Sequence, residues 1–274
     1  MLPFALTLPT SGRTPVVVEV PHAGLSIPKA LRGETLVDAR TVMRDADLHV
    51  GKLYADAPAR GAALLTAPFS RYVVDLNRAP DDIDLATVPD HPAPRGKQPR
   101  GVVWRLTTDG RPSLQEPLTY AAFQDRVARY HAPYHQALRE ELERTRARFG
   151  FAVLVAGHSM PSVGRAGHAD TGTRRADIVP GTLGRTSAAR RLIEVVDAHF
   201  RGAGLSVQHD DPYRGGFTTQ HYGRPREGWH VVQIELNRAL YMDEDTGKKK
   251  RGDFKRLQLL LADLVEKLGT IDPR

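Results

Sequence analysis

Val16-Val17-Val18-Glu19-Val20 is a β-branched apolar run that stops in Pro21-His22-Ala23-Gly24, a turn carrying a histidine. The same design recurs further along, where Phe151-Ala152-Val153-Leu154-Val155-Ala156 leads into Gly157-His158-Ser159-Met160. A third run, Val231-Val232-Gln233-Ile234, leads into Glu235-Leu236-Asn237-Arg238. Apolar runs of this length read as buried parallel strands. In open α/β sheets, ligands bind just beyond the carboxyl ends of such strands. Two imidazoles and a carboxylate are thereby directed to one crevice. With room left for a water, that donor set suits a catalytic zinc site.

Outward from these runs, strands are expected at 15–20, 62–66, 72–76, 151–156, 205–208 and 229–235. Helices are expected at 44–57, 120–148, 187–202, 218–222 and 253–268. Pro133 should kink or split the second of these. The last carries Leu257, Leu260, Leu261, Leu264 and Leu268 at helical spacing. Strands alternating with helices predict an α/β fold, with a mixed or parallel sheet covered on both faces. No linker separates two cores, so residues 1–274 are read as a single catalytic domain. Two long irregular regions remain, 158–184 and 79–100, the latter with five prolines. Loops of that length in compact domains are usually functional or disordered.

The chain has 274 residues and no cysteine. Disulfides, thiolate metal sites and cysteine nucleophiles are excluded, so a metal must be held by His, Asp and Glu. The first residues lack a basic segment and a long apolar core, and no run approaches a membrane span; a cytoplasmic protein is expected. The formal charge of +7 favours an acidic partner. The arginines are interspersed with acids, however, and the one dense basic run, Lys248-Lys249-Lys250-Arg251, reads as a solvated turn. A small anion is therefore favoured over the alternative of a non-catalytic nucleic-acid-binding protein. No P-loop, dinucleotide fingerprint, G-x-S-x-G elbow or H-E-x-x-H helix is present.

Each candidate residue has a plain structural reading beside the functional one. His22 and His158 could be packing histidines, were it not for their place at strand ends. In Arg44-Asp45-Ala46-Asp47, one acid suits a helix terminus and the other is free to bind metal. Arg71, Asn77 and Arg78 bracket an apolar segment and offer a planar fork and an amide to a carboxylate, or pair with nearby aspartates. Glu235 ends a buried run, which is costly unless it is paired or functional. Taken alone, these readings stay balanced.

Together they form a series. It runs Val-Glu-Val-Pro-His22-Ala-Gly, Arg-Asp-Ala-Asp47-Leu-His-Val, Ser-Arg71-Tyr-Val-Val-Asp-Leu-Asn77-Arg78 and Gly-His158-Ser-Met. It continues with Asp-Pro-Tyr-Arg214-Gly-Gly-Phe-Thr-Thr-Gln-His-Tyr-Gly-Arg224-Pro and Gln-Ile-Glu235-Leu-Asn-Arg-Ala-Leu-Tyr-Met-Asp-Glu. In this order, from about residue 15 to 244, the series resembles the N-formylglutamate amidohydrolase (formylglutamate deformylase) family. The resemblance implies a three-layer αβα fold with a mixed, mostly parallel sheet like that of zinc-dependent exopeptidases. It implies hydrolysis of N-formyl-L-glutamate to formate and L-glutamate in histidine catabolism; another N-acyl amino acid or a peptidoglycan-type peptide is the alternative substrate. By analogy with zinc carboxypeptidases, it implies one Zn2+ on His22, Asp47 and His158, with Asp47 preferred to Asp45 by the family motif. Glu235 would then be the general base. Arg71, Asn77 and Arg78 would bind a substrate carboxylate, with Arg214 or Arg224 on the second.

Overall fold

A computed structural model describes residues 3–10, 12–166 and 168–273. Six strands form one sheet: β1 (Ala5–Thr7), β2 (Val16–Val20), β3 (Ala63–Thr66), β4 (Ala152–Met160), β5 (Ile178–Gly181) and β6 (Trp229–Asn237). Their order is β1-β3-β2-β4-β6-β5. The four inner strands are parallel, and the two edges, β1 and β5, are antiparallel.

Period-two alternation sorts the inner strands onto two faces. Val16, Val18 and Val20 of β2, Val153 and Val155 of β4, and Val232, Ile234 and Leu236 of β6 share one cluster. They pack on α2 (Val50–Leu53), α5 (Arg190–Gly202) and α7 (Arg251–Gly269). Val17, Ala152, Leu154, Trp229 and Val231 belong to the opposite cluster, with α3 (Tyr120–Arg126) and α4 (Ala132–Phe149). The result is the expected three-layer αβα arrangement around a mixed, mostly parallel sheet. Two further short helices are α1 (Ala39–Asp45) and α6 (Phe217–Tyr222). Among the described residues, no helix is long and apolar enough to cross a membrane.

Four expectations need correction. The helix expected at 44–57 is three pieces, because Ala46 is extended and His49 is left-handed, with φ 70°. The segment 72–76 is buried but is a run of turns, not a strand. Its apolar side chains fill the α3/α4 core while its backbone bonds to loops. Residues 205–208 contribute only an isolated bridge, Val207 to Ile178. The region expected to be irregular at 158–184 contains β5, whose Ile178-Val179-Pro180-Gly181 is too short and proline-broken to signal a strand. The helix at 120–148 is split near Pro133, as expected: a π turn, Val127–His131, joins α3 to α4 and places Pro133 in the first turn of α4. The 79–100 region is irregular but tethered. Val102 N donates to Asp82 O at 2.7 Å, and a Cβ on Gly101 would lie 2.0 Å from the same oxygen.

Gly157, one residue before His158, lies against Tyr54, where a Cβ would sit 2.5 Å from the ring. Tyr54 is itself buried in the α5/α7 core, so neither group can retreat cheaply. Gly157→Ala is expected to lower unfolding free energy by about 1–3 kcal/mol, the usual cost of overpacking. A denaturant midpoint equal to that of the parent would show that the β4–Tyr54 contact is slack.

Candidate metal centre

His22, Asp47 and His158 meet at the carboxyl end of the parallel strands. His22 lies just beyond β2. His158 lies within β4, which continues past 156, and it pairs in register with Glu235 of β6. Asp47 occupies the extended break after α1, where its N–H donates to His22 O at 2.9 Å. The helix break that the apolar spacing conceals is therefore what delivers the carboxylate. The three residues offer one ligand atom each, all within 4.8 Å of one another. Asp47 Oδ2 is 3.6 Å from His22 Nδ1 and 3.0 Å from His158 Nδ1. Asp45 is directed elsewhere, accepting hydrogen bonds from Tyr72, Thr108 and Arg44.

The outer nitrogens are held too. His22 Nε2 donates to Asp75 Oδ1 at 2.8 Å, and Trp104 Nε1 donates to Asp75 Oδ2 at 3.0 Å. The Arg71 guanidinium contacts His22 Nδ1. Guanidinium can only donate, so that nitrogen presents a lone pair, the tautomer a metal ligand requires. Asn77 Nδ2 lies 3.4 Å from His158 Nε2. Arg238 steadies the far side of Asp47: it donates to the carbonyls of Arg44 (2.8 Å) and Ala46 (2.7 Å) and lies 3.5 Å from Asp47 Oδ1.

Charge follows from these contacts. Burial raises the cost of ionising Asp47, but the neighbouring His158, His22 and Arg71 outweigh it and hold the carboxyl well below the usual range. At Asp75, burial is likewise outweighed, by His22 and Arg71. Glu235 goes the other way: burial pushes its carboxyl up, Asp47 adds to the rise, and His158 only partly opposes it. Burial would lower His158, yet Asp47 and Glu235 draw a proton toward it. A buried, mainly anionic surround of two imidazoles is also one that attracts a cation. Two imidazole nitrogens and one carboxylate oxygen, with Asp75 behind His22 and Arg238 behind Asp47, fit a divalent ion.

The cluster opens onto a cavity of about 760 Å³. Glu235 faces it, with Oε1 accepting from Gln233 Nε2 at 2.9 Å. Gln233 Oε1 in turn accepts from Asn77 Nδ2 (3.2 Å) and Gly216 N (2.9 Å). Nine arginines against seven carboxylates line this cavity, an excess that suits an anionic ligand. Arg71, Arg78 and Arg214 are among them. Arg78 lies 3.5 Å from Asp82, and Arg214 has no ion pair among the described residues. Arg224 is not brought to the cavity; it pairs with Glu227 at 3.0 Å and covers the Trp229 ring. Its place beyond α6 turns it back onto the sheet end.

Sequence reasoning missed Asp75, Gln233 and Arg238 as parts of the centre. It also passed over Glu19, fully buried on β2, where Tyr134 OH donates to it at 2.9 Å and burial pushes its carboxyl up. The available signal was common to Glu19, Asp75 and Gln233: a polar residue set inside a β-branched apolar run.

Comparison with known proteins agrees with the geometry. The family model for N-formylglutamate amidohydrolase matches residues 14–242. A protein of Pseudomonas aeruginosa named N-formylglutamate deformylase is 34% identical over 262 residues, covering 94% of this chain and 93% of that one. A protein of the same name from Pseudomonas putida is 33% identical over 264 residues, with the same coverage. The crystal structure of N-formylglutamate amidohydrolase from Ralstonia eutropha JMP134 superposes with a TM-score of 0.88 at 32% identity, covering 98% of both chains. The match spans every segment that builds the centre, so the chain belongs to the N-formylglutamate amidohydrolase family and is a hydrolase acting on an amide bond.

Proposed function

We propose that this protein hydrolyses the formyl amide of N-formyl-L-glutamate, using one zinc ion held by His22, Asp47 and His158. The observation that carries the reading is the convergence of those three ligand atoms beside Glu235, at the floor of a cation-rich cavity. Zinc is favoured because the donor set is nitrogen and oxygen, in a chain without cysteine. When bound, such an ion polarises an amide carbonyl and acidifies a water.

The remaining steps belong to side chains. Glu235 takes the proton of the attacking water and delivers it to the departing nitrogen. Its raised pKa, lowered again by a nearby cation, keeps both directions of transfer accessible. Arg71, against His22 and partly exposed at the cavity edge, is placed to stabilise the developing oxyanion. The substrate is a dianion, and Arg78 and Arg214 are the partners assigned to its carboxylates. Asn77, in this reading, serves the site from behind His158 rather than touching a carboxylate. The cavity is roomy for so small a molecule, which favours testing other N-acyl amino acids in the same assays.

His22→Ala and His158→Ala should each lose stoichiometric zinc, measured by elemental analysis after dialysis. A His158→Ala protein retaining one zinc per chain would overturn the ligand set. Glu235→Gln should keep its zinc and lose about 10²–10⁴-fold in kcat, the range for a removed general base. Loss of zinc instead would make Glu235 a ligand. Arg78→Lys and Arg214→Met should each lower kcat/KM for N-formylglutamate at least about tenfold, since charge-assisted hydrogen bonds contribute about 1.5–3 kcal/mol. With N-formyl-L-glutamine, the variant that has lost the side-chain carboxylate's partner should show little further deficit. Unchanged kinetics for both variants would remove these arginines from the site.

A further inference from the structure

The segment carrying Asp75 and Asn77 is not in the sheet, yet it backs both imidazoles of the centre. Its stiffness must come from elsewhere. Three successive carbonyls are each tied by a separate group. Leu76 O accepts from His135 Nε2 at 2.9 Å, Asn77 O from Phe217 N at 3.1 Å, and Arg78 O from His131 Nε2 at 2.9 Å. The two histidines are one helical turn apart, His131 at the end of the π turn and His135 just after Pro133 in α4. Their rings lie 4.3 Å apart, and Phe217 packs against both. Tyr222 OH is 3.2 Å from His135 Nδ1. The side chain of Asn77 is gripped as closely: Thr218 N donates to its Oδ1 at 3.0 Å, and a Cβ on Gly216 would lie 2.4 Å from its amide nitrogen.

We propose that His131 and His135 are positioning residues: by holding the carbonyls on both sides of Asn77, they fix its amide against His158 and against Gln233, and so aim Glu235. The inference rests on the reading of His158 as a ligand and Glu235 as the base. The chain of contacts is continuous, from His135 and His131 through Asn77 Nδ2 to Gln233 Oε1, and from Gln233 Nε2 to Glu235 Oε1. Burial keeps both imidazoles neutral, and at His135 the neighbouring His131 adds to the effect. In the neutral form, one nitrogen of each ring is the N–H that a carbonyl needs. Neither histidine lies in the cavity lining, so neither touches substrate.

The test uses the full chain, both zinc-free and zinc-loaded. His131→Leu and His135→Leu remove the donor and keep bulk. Each should lower kcat for N-formylglutamate about 10–100-fold and weaken zinc binding over a similar range, as expected for a lost outer partner. Glutamine at either position reaches nearly as far as Nε2 and should recover activity to within about threefold of the parent; the shorter asparagine should not. In an Asn77→Ala background, the leucine changes should cost less than about threefold more, because the route is already cut. Leucine variants with parental kcat and zinc affinity would overturn the proposal, as would full additivity with Asn77→Ala. If the leucine variants fail to fold, equal activity of the glutamine and asparagine variants would overturn it. A parent protein that neither binds zinc nor deformylates the substrate would instead remove the underlying reading.

Discussion

Burying a carboxylate is the constraint around which this structure is arranged. Asp47 is almost wholly out of water, and an unpaired charge there would cost several kcal/mol. The fold answers by bringing His22, His158, Arg71 and Arg238 to it from four separate stretches of chain. Those four stretches are the ends of β2, β4 and β6 and the turn-rich segment that follows β3. The topology is what makes this affordable, since parallel strands all end at one rim. Once the acid is there, the two imidazoles have no freedom left: Asp75 fixes the outer nitrogen of one, and Asn77 flanks that of the other.

The sequence revealed the strands whose ends carry the chemistry, because β2, β4 and β6 are long β-branched runs. It also revealed the amphipathic α7 and the break near Pro133. What escaped it has a common cause. At 72–76 and 44–57, side-chain periodicity matched a regular element while the backbone did not. Segment 72–76 buries its apolar side chains without joining the ladder: Asp75 N donates to Val102 O and Leu76 O accepts from His135. Residues 44–57 keep helical spacing across a left-handed residue, His49, whose imidazole bonds to Gly247 O 198 positions away in sequence. Periodicity reports which side chains are buried; it does not report where backbone hydrogen bonds go. Glycine 157 shows the complementary case, a residue whose necessity is visible only from the ring opposite it.

Arginine usage separates two tasks that composition alone merges. Arg238 and Arg71 are committed to the centre, where they answer buried acids; Arg44 and Arg175 are paired with Asp45 and Asp170 at its margin. Among the described residues Arg214 stands at the cavity without an acid, and Arg78 faces one at 3.5 Å while about a third exposed. The net charge of +7 is therefore a poor guide to partner, whereas the residual cation inside one cavity is a good one. A guanidinium with no internal anion is free to take an external one, and its planar fork fixes two oxygens at once.

The long 79–104 region is held in place by the same carboxylate that holds His22. A loop of that length with five prolines would ordinarily be mobile. Here it leaves the centre at Arg78 and returns to it at Trp104, whose indole N–H is the second donor to Asp75. Val102 O accepts from Asp75 N, and Val102 N reaches Asp82 O, so the returning segment is stitched to the chain on either side of where the excursion departs. Gly101 permits the close approach, since a side chain there would strike the Asp82 carbonyl. Asp75 thus joins three pieces of structure: the imidazole of His22, the returning loop and the start of the Asn77 segment, whose N–H it accepts at 2.9 Å. A carboxylate that holds an imidazole and also closes a loop couples the order of the cavity wall to the orientation of His22. Disturbing the wall should then be felt at His22 before it is felt by the substrate.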